Sequence, residues 1–182
     1  CRSAILLFSA LVPDLGAIPG TWLSADPLWC HSNTFADMES RFNLAKADPE
    51  AYKAMLGLEN YLAASGLDKR LYELVKTRAS QINGCAYCIN MHVRDAMKLG
   101  ETAQRLFLLD AWRETDLFTA KERAVLALTE AMTLIAGGPV PDEVYDAAAA
   151  QLTAKEMAAV IMAVVAINGW NRIAITSRTP LD

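Results

Sequence analysis

An all-α fold of about six to seven helices is predicted by the apolar residues, which recur every three or four positions from Pro49 onward. Two Thr-x-x-Glu segments, from Thr119 to Glu122 and from Thr153 to Glu156, have the pattern of a capping box. In that motif the two side chains satisfy free backbone N–H groups at a helix start. No segment alternates apolar and polar residues over the length of a strand, so helices alone account for the pattern.

The predicted helices follow one another with short breaks. Four of them cover residues 49–65, 68–82, 85–98 and 101–113, and three more begin near Thr119, Pro141 and Thr153. Glycine often ends a helix because it adopts the left-handed conformation of the C-terminal cap without strain. Gly66, Gly84 and Gly100 mark the ends of the first three predicted helices.

The N-terminal residues differ in composition from the rest of the 182-residue chain, whose length suits one domain. Residues 1–37 hold three of the seven prolines and two of the four tryptophans, and the first methionine is Met38. We expect residues 1–37 to be an irregular extension that lies upstream of the natural start or marks a fragment, with a processed leader as the alternative. Residues 38–182 are then the helical domain.

Composition excludes several classes of function. Asp and Glu number 21 against 17 Lys and Arg, and no basic run is present, which argues against nucleic-acid binding. No apolar run reaches the roughly 18 to 20 residues of a membrane span, and residues 157–167 are best interpreted as a buried helix. Four cysteines are too few for a disulfide framework. They fit a reducing compartment, and we expect a cytoplasmic protein without membrane attachment.

The segment Cys85-Ala-Tyr-Cys88-Ile-Asn-Met-His92 is the most informative part of the sequence. At about 100° per residue, a helix places Cys88 about 60° and His92 about 20° from Cys85, so one stripe carries all three. In the first turn of this helix, the free N–H groups and the helix dipole favour a thiolate at Cys85. His92 lies one turn beyond Cys88 and can accept a proton from its thiol. We predict a thiol redox centre.

Glu73 is the predicted partner of His92. It lies on the preceding helix, and the Asn83-Gly84 turn can fold that helix back against the one that carries the cysteines. A carboxylate beside the imidazole would orient the ring and stabilise its charged form, which completes a proton relay.

Zinc binding is the alternative from another class of function, with Cys85, Cys88 and His92 as ligands and Glu73 as the fourth. Structural zinc sites gather ligands from two elements, whereas three of these residues come from one helix. We therefore expect no metal and no cofactor. A general thiol-disulfide oxidoreductase or a redox-responsive protein is the other alternative for this centre.

The spacing Glu73-x11-Cys85-x2-Cys88-x3-His92 resembles the signature of alkyl hydroperoxide reductase D-like proteins, within the carboxymuconolactone decarboxylase-like superfamily. The resemblance covers about residues 38 to 178 and implies an all-α fold, a homo-oligomer and antioxidant reduction of organic hydroperoxides. It also implies that Cys88 attacks the hydroperoxide, Cys85 is the resolving thiol, and His92 and Glu73 relay protons. A dithiol, such as a lipoyl group on a partner protein, would regenerate the pair. Tyr87 stands where the best-understood peroxidase of the family has a second His.

The division of labour between the two cysteines can be argued in two ways from the residues. The helix dipole favours Cys85 as the more acidic thiol, whereas the neighbouring His92 favours Cys88. A fixed imidazole removes a proton outright, and the dipole contributes only about 0.3–1 kcal/mol at exposed sites. We therefore expect Cys88 to attack the hydroperoxide, and the more accessible Cys85 to close the disulfide and meet the reductant.

Overall fold

The fold is described for residues 39–181 of a computed structural model. These residues form eight α-helices and two short 3₁₀ helices, Leu109–Glu114 and Ile135–Gly137. The α-helices are α1 (Leu44–Ala47), α2 (Pro49–Ala64), α3 (Lys69–Asn83), α4 (Ala86–Lys98), α5 (Ala103–Phe107), α6 (Ala120–Thr133), α7 (Asp142–Ala149) and α8 (Ala154–Ser177). The predicted extension over residues 1–37 lies outside the described range.

The predicted all-α class is confirmed, because residues 39–181 contain no strand. The seven predicted helices correspond to α2 through α8, and the four-residue α1 is an addition. The helix predicted over residues 101–113 is divided: α5 ends at Phe107, and a 3₁₀ helix with a non-helical Ala111 follows.

Both predicted capping boxes are present. The Thr119 hydroxyl accepts from the Glu122 backbone N–H at the start of α6, and the Glu122 carboxylate accepts from the Thr119 N–H. Thr153 and Glu156 make the same pair of bonds at the start of α8. These bonds satisfy backbone donors that a helix start leaves free, so they define where both helices begin.

Helix α3 lies at the centre of the domain and packs against α4, α6 and α8. Leu74, Val75 and Ala79 are fully buried, as expected for a central helix. The same helix also buries Glu73 and Lys76. Charged side chains are seldom buried unless they are paired, so these two residues point to a polar site inside the fold.

Helix α8 is long and apolar enough to cross a membrane, judged by length and composition alone. It extends well beyond the apolar run of residues 157–167 that the sequence singled out. In the fold it packs against α2, α3 and α6, with Val160, Ala163, Val164 and Ile167 buried in the core. Packing on several sides explains why apolar residues occur almost all round this helix.

Candidate active site

The turn between α3 and α4 positions the cysteine pair. Gly84 adopts the left-handed conformation (φ 70°, ψ 31°) that ends α3. Cys85 then has extended backbone angles and caps α4, and its Sγ accepts a hydrogen bond from the Cys88 N–H at 3.3 Å. The sequence predicted that Cys85 lies in the first turn of α4. In the structure Cys85 instead precedes the helix as its N-terminal cap. The sulfur takes the place of the side-chain oxygen that usually caps a helix.

Cys85 and Cys88 are joined by a disulfide, with their Cα atoms 5.4 Å apart. Both side chains are buried, with 1% and 2% of their surfaces exposed. Cys88 lines a cavity, whereas Cys85 does not reach it and packs among Ala79, Ile167 and other buried residues. The expectation that Cys85 is the more accessible sulfur is therefore wrong.

Glu73 and His92 form a buried pair beside the cysteines. The Glu73 Oε2 and His92 Nδ1 atoms are 2.8 Å apart, and both residues are at least nine-tenths buried. With the carboxylate as acceptor, Nδ1 carries the proton and Nε2 is the nitrogen that can accept one. His92 lies one helical turn after Cys88 on α4, and all three side chains line the same cavity. The fold thus brings together the four residues that the sequence singled out.

The cavity has a volume of about 470 Å³ and is bounded by α1, α2, α3, α4 and α8. Its walls include the aromatic side chains of Tyr52, Tyr87 and Trp170, together with Met91. Volume and lining are those of a site for a small organic molecule.

An ion pair between a buried lysine and a half-buried glutamate in the same cavity was not foreseen from the sequence. The Lys76 ammonium donates to both carboxylate oxygens of Glu59, at 2.7 and 2.8 Å. The Tyr72 hydroxyl and the Trp170 indole N–H also donate to Glu59. Lys76 is only 2% exposed, and the Glu59 carboxylate balances its charge. All four residues line the cavity that Cys88 faces.

Burial and pairing shift the ionisation of this cluster in defined directions. Burial lowers the pKa of Lys76, against the opposing effect of the Glu59 carboxylate. Burial would raise the pKa of Glu59, but the Lys76 charge and the hydrogen bonds from Lys76, Tyr72 and Trp170 together lower it. Burial and the bond to Glu59 raise the pKa of Tyr72. In this cluster an ionised Glu59 therefore accepts hydrogen bonds from the neutral phenol of Tyr72 and from the ammonium of Lys76. The charge of Lys76 depends on the Glu59 carboxylate.

The cluster escaped sequence reasoning because its members come from three helices. Glu59 lies on α2, Tyr72 and Lys76 lie on α3, and Trp170 lies on α8. No fixed spacing connects them. The available signal was the position of Lys76 beside Leu74 and Val75 in a strongly buried segment of α3.

Within residues 39–181, no group of three or more His, Cys, Asp or Glu side chains is arranged so that it could hold a metal ion. We predict that freshly purified protein carries well under one zinc ion per chain. Treatment with a chelator should leave its helical circular dichroism unchanged. Stoichiometric zinc, with loss of helicity when it is removed, would instead support the structural zinc alternative.

Comparison with known proteins identifies the family. The model of the carboxymuconolactone decarboxylase family matches residues 49–131. The uncharacterized protein YdfG of Bacillus subtilis is 41% identical over 138 residues, which cover 76% of this chain and 94% of YdfG. An Agrobacterium tumefaciens protein of unknown function, suggested to be the antioxidant defence protein AhpD, is 42% identical. Its crystal structure matches 79% of this chain and 99% of its own, with a TM-score of 0.77.

A more distant structure has the same fold. The debrominase Bmp8 is 17% identical and matches 75% of this chain and 74% of its own, with a TM-score of 0.68. At this level of identity the likeness concerns the fold alone.

The chain belongs to the carboxymuconolactone decarboxylase superfamily as an AhpD-like protein. The resemblance stated from the Glu73, Cys85, Cys88 and His92 spacing is thereby confirmed. Proteins of this fold include enzymes, as the debrominase illustrates.

Proposed function

We propose that this chain is a thiol-dependent peroxidase that reduces organic hydroperoxides in antioxidant defence. One observation carries the proposal. Cys88 lines a cavity that is also lined by the buried Glu73–His92 pair, and it is bonded to Cys85, which lies outside the cavity lining. This arrangement supports Cys88 as the nucleophile, His92 as the base, Glu73 as the orienting carboxylate and Cys85 as the resolving thiol.

The first step consumes the hydroperoxide. His92 Nε2 takes the proton from the reduced Cys88 thiol, and the thiolate attacks the terminal oxygen of the hydroperoxide. The O–O bond breaks, Cys88 becomes a sulfenic acid, and the alkoxide leaves with the proton from His92 as an alcohol. Glu73 holds the ring and stabilises its charged form during the transfer.

The second step closes the disulfide. Cys85 gives up its thiol proton and attacks the Cys88 sulfur as a thiolate, the S–O bond breaks, and the hydroxyl group leaves as water with that proton. A Cα–Cα distance of 5.4 Å lets the bond form without a large movement of α4. The Cys88 N–H, which lies 3.3 Å from the Cys85 sulfur, stabilises the attacking thiolate.

The lining of the cavity supports organic hydroperoxides as substrates. Tyr52, Tyr87 and Trp170 offer apolar surface to an alkyl or aryl group, and Met91 adds an adaptable side chain. The antioxidant role suggested for the relative from Agrobacterium tumefaciens supports the same class of reaction.

The cycle needs a reductant and a suitable compartment. We propose a dithiol, such as a lipoyl group on a partner protein, as the electron donor for the Cys85–Cys88 disulfide. We place the enzyme in the cytoplasm, where reducing conditions favour its active dithiol form. Assembly into a homo-oligomer is part of the proposal and is tested by light scattering.

One equivalent of cumene hydroperoxide should oxidise the reduced protein and consume two thiols per chain. The test uses variants in which Ser replaces Cys1 and Cys30, so that only the two motif cysteines can react. In Cys85→Ser, peroxide should convert Cys88 into a sulfenic acid that dimedone traps. In Cys88→Ser, the buried Cys85 should react only sluggishly. Mass spectrometry measures both outcomes.

The same substrate and variants distinguish the proposal from a general thiol-disulfide oxidoreductase and from the opposite assignment of the two cysteines. A general thiol-disulfide oxidoreductase would reduce disulfide substrates yet leave cumene hydroperoxide unchanged. Rapid oxidation of Cys85 in Cys88→Ser, with an inert Cys88 in Cys85→Ser, would reverse the assigned roles.

A further inference from the structure

We propose that the reductant enters through the same cavity as the hydroperoxide and attacks Cys88, so that Cys85 is the leaving thiolate. This inference rests on the proposed function, in which the disulfide is an intermediate of the cycle. It reverses the assignment that the sequence suggests, where Cys85 meets the reductant.

Access is the first argument. Both cysteines are almost fully buried, with 1% of Cys85 and 2% of Cys88 exposed, but Cys88 lines the cavity whereas Cys85 packs against α3 and α8. Thiol–disulfide exchange requires the incoming sulfur to approach along the axis of the S–S bond, so the accessible sulfur is the one attacked. From the cavity, that sulfur belongs to Cys88.

The leaving group supplies the second argument. Exchange is faster when the displaced thiolate is stabilised. Cys85 caps α4, and its sulfur accepts the Cys88 N–H at 3.3 Å, which favours negative charge at that atom. Attack on Cys88 therefore releases the better leaving group of the two.

His92 lines the cavity one helical turn from the Cys88 sulfur, where it can receive the proton of the incoming thiol. The incoming thiol transfers its proton to His92 Nε2, and its thiolate forms a mixed disulfide with Cys88 while the Cys85–Cys88 bond breaks. His92 then gives up this proton and Cys85 takes up one, so that Cys85 becomes a thiol and His92 is neutral again. The second thiol of the reductant attacks the reductant's own sulfur in the mixed disulfide, which releases Cys88 as a thiol and the reductant as a cyclic disulfide.

Trapping of the mixed disulfide tests which sulfur is attacked. Protein with Ser in place of Cys1 and Cys30 is oxidised with diamide, so the outcome does not depend on peroxidase activity. It is mixed briefly with 2-mercaptoethanol, quenched with acid and labelled with N-ethylmaleimide. Peptide mapping should find the mercaptoethanol adduct on Cys88 and the maleimide on Cys85. The opposite distribution overturns the proposal.

Blocking the cavity tests the route and gives a result even if no adduct accumulates. Ala45 is exposed at the cavity wall, and Ala54 is exposed outside it. Ala45→Trp should slow reduction of the disulfide by dihydrolipoamide about tenfold, because exchange depends on access to the sulfur. Ala54→Trp is the matched control and should reduce at the wild-type rate. Equal rates in both variants would show that the reductant reaches the disulfide elsewhere.

These results are distinguishable from failure of the proposed function. A protein that does not consume cumene hydroperoxide refutes the peroxidase, yet its diamide-formed disulfide still reports where the thiol attacks. A peroxidase whose adduct maps to Cys85 keeps its function and loses the proposed route.

Discussion

Replacing His92 by Ala is expected to slow oxidation of the reduced protein by cumene hydroperoxide about 10²–10⁴-fold, the usual contribution of a positioned acid–base group. In the proposed mechanism, His92 takes the Cys88 proton and returns it to the leaving alkoxide. Glu73→Gln should slow the reaction in the same direction, because its carboxylate holds Nδ1 at 2.8 Å. Stopped-flow measurement of thiol loss gives the rates.

Glu50→Gln is the matched control for Glu73→Gln, since Glu50 has 82% of its side chain exposed and lies outside the cavity. The control should oxidise at the wild-type rate. Raising the pH should partly rescue both relay variants, because the Cys88 thiol then ionises without assistance. Wild-type rates at neutral pH in both relay variants would remove Glu73 and His92 from the mechanism.

The proximity of Cys88, His92 and Glu73 was predictable from sequence because its geometry is mostly local. Cys88 and His92 occupy successive turns of one helix, and a helix fixes their relation. Glu73 was predictable because a single short turn at Gly84 connects its helix to theirs. The predicted helix began at Cys85, one residue before the observed start of α4 at Ala86. Nothing in the spacing of the cysteines indicates that the Cys85 sulfur caps this helix.

The division of the helix predicted over residues 101–113 had a signal in the sequence. Leu106, Leu109 and Trp112 are buried in one cluster and are spaced by three residues. A spacing of three matches the 3₁₀ helix, in which side chains at i and i+3 eclipse, better than the α-helix. A long-range contact, in which the Trp112 indole N–H donates to the Glu130 carboxylate at 2.8 Å, also favours this backbone, and no local pattern predicts it.

Glu59→Gln is expected to destabilise the fold by about 3–5 kcal/mol, the usual cost of leaving a buried charge, here the Lys76 ammonium, without its partner. Lys76 is 2% exposed and donates to both Glu59 oxygens, so a neutral amide leaves its ammonium poorly compensated. The carboxylate also accepts from Tyr72 and Trp170. Urea unfolding followed by circular dichroism measures the change in the free energy of unfolding.

Two comparisons distinguish this effect from a general loss of charge. Glu50→Gln breaks the exposed pair with Lys53, whose side chains are 82% and 73% exposed, and should leave stability unchanged within error. The double variant Glu59→Leu with Lys76→Met should recover part of the lost stability, because neither member of the pair then carries a charge. Recovery is incomplete, since Tyr72 and Trp170 lose their acceptor. A Glu59→Gln protein as stable as Glu50→Gln would show that the pair contributes nothing.

The pH dependence of Glu59→Gln follows from the sign of the shift at Lys76. Burial lowers the pKa of Lys76 in the folded protein, and loss of the Glu59 charge lowers it further. The pKa of a lysine in an unfolded chain is about 10.4. At pH values between the lowered pKa of folded Lys76 and this one, the unfolded chain binds more protons than the folded protein. Stability of the variant therefore rises with pH in that window. Its deficit against the wild type should be largest near neutral pH and should shrink as the pH approaches about 10. A deficit that stays constant from neutral to alkaline pH would mean that packing, not the unpaired ammonium, causes the loss.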